Sequence, residues 1–360
     1  MISLRKNNAP NKKSLLILGK GDKDYTDRNP ERVFQEALKS GMDVRRTDYG
    51  ELEALKLFGG FKQETIVVMP FFPYNFWNEF CETPKDTGLY GTSRSTYELL
   101  DKFFKEKSSE LKAELSNHQL EFVIPLEKAA FDRDKIATIE LLQKNNIPTT
   151  TQIQTRDLEE ILHKISINHG LMIKCRYGSE GKGITLLRKD EWLTNYKVEK
   201  RKLTNYGTYD KWEFTDITGK KSLLKQLLRH QVIIEEEITP PRVYGQLKFD
   251  TRTYVVDYQP IHFFVRINEA EKIVTNYSQG ARILHNPNTK LPEGYCDSIK
   301  KISEQSARAT ELRFIGVDIM FSGCHKEPKV VEVQAFTDFP HKDYFDLAKY
   351  MVESSLFNSE

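Results

Sequence analysis

Short apolar runs that alternate with helix-length amphipathic stretches constrain this chain to an α/β architecture. SLLILG (14–19), TIVVMP (65–70) and EFVIP (121–125) have the length of core strands. Between them, PERVFQEALKSG begins a helix at Pro30 and ends it at Gly41, and a longer helical pattern covers 94–115. Residues 14–125 therefore predict an open, mainly parallel βαβ unit behind a disordered basic tail, 1–13. GKG at 19–21 lacks the spacing of a dinucleotide fingerprint and reads as a plain turn. The aromatic run FFPYNFWNEF (71–80) follows a strand end, where open α/β sheets bind ligands. Packing against a neighbouring domain accounts for it equally well.

Composition narrows the partners. With 360 residues, 39% hydrophobic and 29% charged, the chain predicts a soluble protein of two or three packed units. A net charge of +2 argues against a broad nucleic-acid surface. Cysteines at 81, 175, 296 and 324 show no paired short spacing, so neither a disulfide framework nor a zinc site is indicated. That fits a reducing, cytoplasmic setting. No apolar stretch is long enough to span a bilayer, so no membrane partner is expected. A homo-oligomer remains open.

Further along, DRDKIATIELLQKNNIPTT predicts a helix capped by Asp132, and TRDLEEILHKISINHG predicts a second. Residues 189–222 are polar, rich in Lys and Tyr and without period, which predicts a surface excursion. From 231 the chain is strand-rich: QVIIEEEI, DTRTYVVDY and IHFFVRI, then a helix near 296–312, strands at 314–321 and 329–335, and a final helix.

IKCRYGSEGKGITLL (173–187) places Lys174 in an apolar strand and glycines at 178, 181 and 183 after it. Such a loop brings backbone N–H groups close to an anion, with Lys182 at its tip. It is not a Walker A loop, because Gly183 follows the lysine. Taken alone, a flexible hairpin turn with solvated lysines explains it as well. In FIGVDIMF, Ile315, Val317, Ile319 and Phe321 share one face and Asp318 takes the other. In KVVEVQAF, Val331, Val333 and Ala335 share a face opposite Glu332 and Gln334. Joined as a hairpin through SGCHKEP, these strands would gather two carboxylates and an amide oxygen, donors suited to Mg²⁺ shared with phosphates. A solvated face or an ion pair with arginine is the structural alternative. Arg252 and Arg266, inside apolar strands, would clamp a multiply charged group or simply pair across strands.

Taken in order, DRDK, IKCRYGSEGKG, IIEEEI, DTRTYVV, VRI with TNYSQGAR, GVDIMF and VEVQAF resemble the ATP-grasp superfamily, in particular its glutathione synthetase and ribosomal-protein S6 glutamate ligase branch. The likeness spans roughly 126–340. It implies an ATP-grasp fold of two α+β lobes, 126–232 with a glycine-rich lid and 233–360 with a metal site, behind an N-terminal α/β pre-ATP-grasp domain at 14–125. It assigns Lys135 and Lys174 to the phosphates of ATP, and Ser179, Gly181, Lys182 and Gly183 to the lid. Glu235, Glu236, Glu237 and Ile238 would hold adenine, with Glu235 reading its amino group, and Asp250 would contact ribose. Asp318, Glu332 and Gln334 match the ligands of Mg²⁺, for which Mn²⁺ can stand in. Arg252, Arg266 and Asn276 match residues around the transferred phosphate, and Lys174 joins them in catalysis. Gln334 departs from the pattern, since the last metal position is usually Asn.

The activity implied is an ATP-dependent ligase joining a small-molecule or peptide carboxylate to an amine through an acyl-phosphate. A rival of another class is an inositol-polyphosphate-like kinase of the same fold, which also ends in a strand followed by AF. A nucleotide-binding module without turnover is a third reading, and the near-complete residue set argues against it.

Overall fold

The computed structural model describes all residues except 1–12, 20–27, 57–59, 82–87, 168–169, 208–209, 242, 246, 277–279, 286–290, 324–326 and 359–360. Nearly all of the predicted tail, most of the GKG turn and part of the SGCHKEP hairpin lie outside the described residues.

β1 (Ser14–Leu18) is buried at every position. It pairs in parallel with β2 (Val44–Thr47) and β3 (Thr65–Pro70), and β4 (Gln119–Phe122) extends the sheet beyond β3. The order is β2–β1–β3–β4. Unbroken apolar runs are what a parallel sheet covered on both faces requires, here by α1 (Arg28–Lys39) and α3 (Arg94–Glu114) among other elements. β4 begins two residues before the expected EFVIP, and Val123 still donates to the Val68 carbonyl at 2.9 Å. The aromatic run folds as a helical turn α2 (Tyr74–Phe76) and a wider turn over Trp77–Cys81. Its rings pack against the end of the chain, Phe71 lying 6.0 Å from Phe339 and Phe72 5.6 Å from Phe336.

The next unit opens with α4 (Lys135–Lys144), and its cap differs from expectation. Asp134, not Asp132, accepts the Ala137 N–H, at 3.2 Å. Asp132 instead accepts the Ala335 N–H at 2.9 Å, tying this turn to a distant strand end. After α5 (Leu158–Ile167), β5 (Leu171–Cys175) pairs with β6 (Ile184–Arg188), which pairs with β7 (Glu191–Thr194). A separate hairpin, β8 (Lys197–Glu199) with β9 (Lys202–Thr204), precedes the edge strand β10 (Thr215–Asp216), α6 (Lys221–Leu228) and β11 (Val232–Glu236). The sheet order is β10–β7–β6–β5–β11.

The stretch 189–222 is thus no surface excursion. Trp192, Tyr196, Leu203, Trp212 and Ile217 are buried and help to form the core of this unit. They escaped notice because each stands alone among polar residues, leaving no periodic run to read.

The third sheet is antiparallel, in order β14–β13–β12–β15–β16. Its strands are β12 (Leu247–Val256), β13 (Gln259–Glu269), β14 (Arg282–Leu284), β15 (Phe314–Phe321) and β16 (Pro328–Gln334). α7 (Tyr295–Thr310) precedes β15, and α8 (Leu347–Glu353) packs on α1. The register moves from Asp318 opposite Glu332 to Ile319 opposite Val330, so Val331 is an extra residue. This bulge breaks the expected alternation. Val330 and Val333 are buried, whereas Val331 leaves the face it was expected to share with Val333 and lines a cavity beside Glu332.

The parallel sheet and the third sheet share one continuous apolar core, containing Leu16, Phe104, Phe314, Phe339 and Phe357. The middle sheet has its own, built around Ile173, Tyr196, Trp212 and Leu224.

Candidate functional site

A cavity of about 380 Å³ lies between the two antiparallel sheets. Strand alternation decides what faces it. On β5, Leu171, Ile173 and Cys175 are buried, while Met172 and Lys174 are half-buried and line the cavity. From the other sheet come Lys248 and Asp250 of β12, Arg266 of β13, Asp318 and Met320 of β15, and Val331 and Glu332 of β16. Residues Glu235, Glu236, Glu237 and Ile238 pass along one end.

The glycine loop closes over this space, with Gly178, Ser179, Gly181 and Lys182 in the wall. Gly181 has φ +70°, and a side chain there would lie 3.2 Å from that of Asn276, another lining residue. A side chain at Gly178 would collide with Cys175 Sγ and the Tyr90 ring. Only glycine fits where loop and neighbours approach this closely.

Most charges in the cavity are paired. Lys174 Nζ lies 2.6 Å from Glu235 Oε2, and Thr150 Oγ1 donates to Glu235 Oε1 at 2.7 Å. Glu235 is 2% exposed. Its carboxylate is spent on these two partners. Lys135 Nζ lies 3.2 Å from Glu332 Oε1 and also donates to the Gly178 carbonyl. Arg252 donates to Asp318 through Nε at 2.7 Å and Nη2 at 2.9 Å. Arg266 does the same to Asp250, at 2.7 and 2.6 Å, and its Nη2 also lies 3.0 Å from Asp318. Thr275 Oγ1 completes the group by donating to Asp250 at 2.6 Å.

These contacts set the protonation states. Burial opposes ionisation of Asp318, yet Arg252 and Arg266 outweigh it and hold the group down at about 2. At Glu332 burial likewise opposes, and Lys135 leads the interactions that keep the carboxyl below its ordinary value. Burial prevails at Asp250 and raises its pKa despite Arg266. Burial lowers Lys248 to about 8, with Glu237 only partly compensating. Lys174→Ala should therefore lower the melting temperature, because Glu235 would remain buried without its cation, a loss of about 3 kcal/mol. Adding Glu235→Gln should recover much of it in the same melting experiment.

The expected residues that line the cavity are Lys135, Lys174, Ser179, Gly181, Lys182 and Glu235 to Ile238, together with Asp250, Arg266, Asn276, Asp318 and Glu332. Arg252, Gly183 and Gln334 do not. Arg252 acts behind Asp318, and Gly183 bonds through its carbonyl to the Cys175 N–H at 3.0 Å. Gln334 turns its amide nitrogen, not its oxygen, to Glu332 at 3.2 Å.

Among the described residues no three His, Cys, Asp or Glu side chains form a metal-holding group. Asp318 and Glu332 are register partners across β15 and β16, both kept ionised. Two anionic oxygen donors fit a hard cation that takes its remaining ligands from phosphate and water.

Residues missed from the sequence include Thr150, Arg188, Lys248 and Thr275. Lys248 carried a signal. It lies two positions before Asp250 and four before Arg252, so all three share one face of β12. Thr150 sits in a loop without pattern and becomes visible only through its bond to Glu235.

Comparison with known proteins follows the same lines. A family model described as YheC/D like ATP-grasp matches residues 129–316, over half of the chain. A search of curated proteins finds no match. Among solved structures, the ATP-grasp ligase PsnB complexed with a minimal precursor is 14% identical, covering 96% of this chain and 98% of its own, with a TM-score of 0.56. D-cycloserine synthetase DcsG is 12% identical over 94% of this chain and 98% of its own, with a TM-score of 0.55. The macrocyclase MdnC of Microcystis aeruginosa MRC, bound with precursor peptide MdnA, is 10% identical over the same shares, with a TM-score of 0.56. At such identities the likeness is one of fold. The match to the family model, together with a glycine loop closing over paired sheets, places this chain in the YheC/D-like ATP-grasp family.

Proposed function

We propose that this protein is an ATP-dependent carboxylate–amine ligase working through an acyl-phosphate. The observation that carries the reading is the distribution of charge in the cavity. Lys135, Lys174 and Lys182 stand under and within a glycine loop, opposite the ionised Asp318 and Glu332. That is a receptor for a polyphosphate with its cation. Apolar Met172, Met320, Leu247 and Ile238 supply walls for a flat base. Two of the similar structures support it: PsnB has been seen with Mg and ADP, and MdnC with a precursor peptide.

In this reading the loop closes over the phosphates and keeps water from the activated carboxylate. Lys135 and Lys174 neutralise phosphate oxygens, and Arg266 faces the charge that develops on the group in transfer. Asp318 and Glu332 would hold the magnesium, which spreads charge over the transferred phosphate. A substrate carboxylate oxygen attacks the γ-phosphorus and ADP departs; an amine then attacks the acyl carbon and phosphate leaves.

The test is interception. With ATP, Mg²⁺ and a carboxylate that stimulates ADP release, hydroxylamine in place of the amine should give one hydroxamate per ADP. Phosphorylation of a hydroxyl compound without any hydroxamate would establish a kinase instead.

Lys248 gives the reading a second, independent handle. Free, it is about half neutral near pH 8. A polyphosphate in the same cavity favours the ammonium form, so nucleotide binding should take up protons at that pH. Titration calorimetry in two buffers of different ionisation enthalpy measures this uptake. Equal heats in both buffers, or unchanged uptake in Lys248→Met, would count against it.

A further inference from the structure

Four arginines in or beside the cavity walls are each spent in a two-point pair. Arg252 holds Asp318 and Arg266 holds Asp250, as described. Arg176 meets Asp134 at 2.7 and 2.6 Å, and Arg188 meets Glu237 at 3.0 and 2.6 Å. Arg133, two residues before Lys135, is built differently. Its Nε is buried with no hydrogen-bond partner. The adjacent carboxylate, Asp132, stays 3.6 Å away, held off by its bond to the Ala335 N–H.

What Arg133 has instead is a shelf. Its guanidinium carbon lies 4.6 Å from the centre of the Phe72 ring and 5.2 Å from that of Trp77. Rings hold a guanidinium flat and leave its N–H edge unspent, the arrangement that recognises a planar anion. Phe72 also lines, with Thr337, a small cleft at the carboxyl ends of β1 and β3. Thr337 is 6% exposed, and its Oγ1 also has no hydrogen-bond partner. The bond from Ala335 to Asp132 sets this corner against the end of β16, the strand that carries Glu332.

We propose that Arg133, on its Phe72–Trp77 shelf, binds a carboxylate of the co-substrate and so positions that molecule beyond the Glu332 end of the cavity. Calling the molecule a co-substrate rests on the ligase reading; the anion site does not. A carboxylate on an apolar stem suits both the fork and the rings.

Trp77 reports on the site directly. The probe is pentanoate, with pentylamine as its cationic counterpart, added to the full chain while tryptophan emission is followed. Pentanoate should give a saturable change that pentylamine does not, and that vanishes in Trp77→Phe. In Arg133→Lys, which keeps the charge and loses the fork, half-saturation should rise about tenfold. Absence of a saturable change in the wild-type chain overturns the proposal, whether or not any variant folds. So does an Arg133→Lys chain that binds as the wild type does. A parallel titration with an unreactive ATP analogue keeps the two readings apart. Analogue binding without a pentanoate response sinks only the Arg133 site, and pentanoate binding without analogue binding sinks only the ligase.

Discussion

Arg266→Met should destabilise the folded chain by about 3–5 kcal/mol, the loss expected when one partner of a buried ionic cluster is removed. Arg266 is 4% exposed and serves two carboxylates, Asp250 and Asp318, that are themselves 6% and 4% exposed. Methionine fills much of the space but leaves Asp250 facing only the Thr275 hydroxyl. Burial already raises the pKa of Asp250, and without the guanidinium it should rise further. A proton taken up there relieves the unpaired charge, so the deficit should shrink as pH falls below neutral. Asp318 works in the same direction. In the wild type its lowered pKa contributes stability that is complete above 3.8 and is lost as pH falls to about 2. With Arg252 alone, less of that contribution remains to be lost. Urea unfolding of both chains over a pH series measures the difference. A deficit below about 1 kcal/mol, or one independent of pH, would show that the cluster is not coupled as described.

Glu332→Gln should act on turnover and hardly on stability. The amide keeps the shape of the side chain, and Lys135 retains the Gly178 carbonyl as a partner. What disappears is one of two anionic oxygen donors facing each other across β15 and β16. On the ligase reading, ADP release should fall on the order of 100-fold, the scale of losing one preorganised charge contact in a transition state. The Mg²⁺ concentration for half-maximal rate should rise with it. Full turnover at limiting Mg²⁺, with a lowered melting temperature, would make Glu332 a structural partner of Lys135 and nothing more.

The residues that were legible share a physical property: their surroundings made them improbable. A lysine or arginine within an apolar strand has to be accounted for: Lys174 and Arg266 line the cavity, and Arg252 stands behind Asp318. Of the pair Glu332 and Gln334, two apart on one strand, only Glu332 lines the cavity. The failures came where a single local event overrides periodicity. One extra residue at Val331 resets the alternation of β16, and nothing in KVVEVQAF announces it. Asp132 and Asp134 are equally good caps in sequence, and the choice falls to a backbone N–H two hundred residues away. In the 189–222 stretch, solitary tryptophans carried burial that no pattern could disclose. Whether Glu235 would be free to read a base was likewise invisible until Thr150 and Lys174 were seen beside it.

The shared core of the first and last sheets bears on how the chain is made. Residues 14–122 are synthesised before the residues that complete the apolar surface of their sheet, Phe314, Phe339 and Phe357. This parallel sheet must therefore wait, with hydrophobic surface uncovered, until those later residues have been synthesised. The middle unit, with a core of its own, can close in the meantime. Nascent chains stalled before residue 314 should accordingly protect the middle strands from proteolysis while β1 and β3 stay open to it. Those stalled chains would be the ones that holdase chaperones bind, through the parallel sheet rather than through the strands made after it.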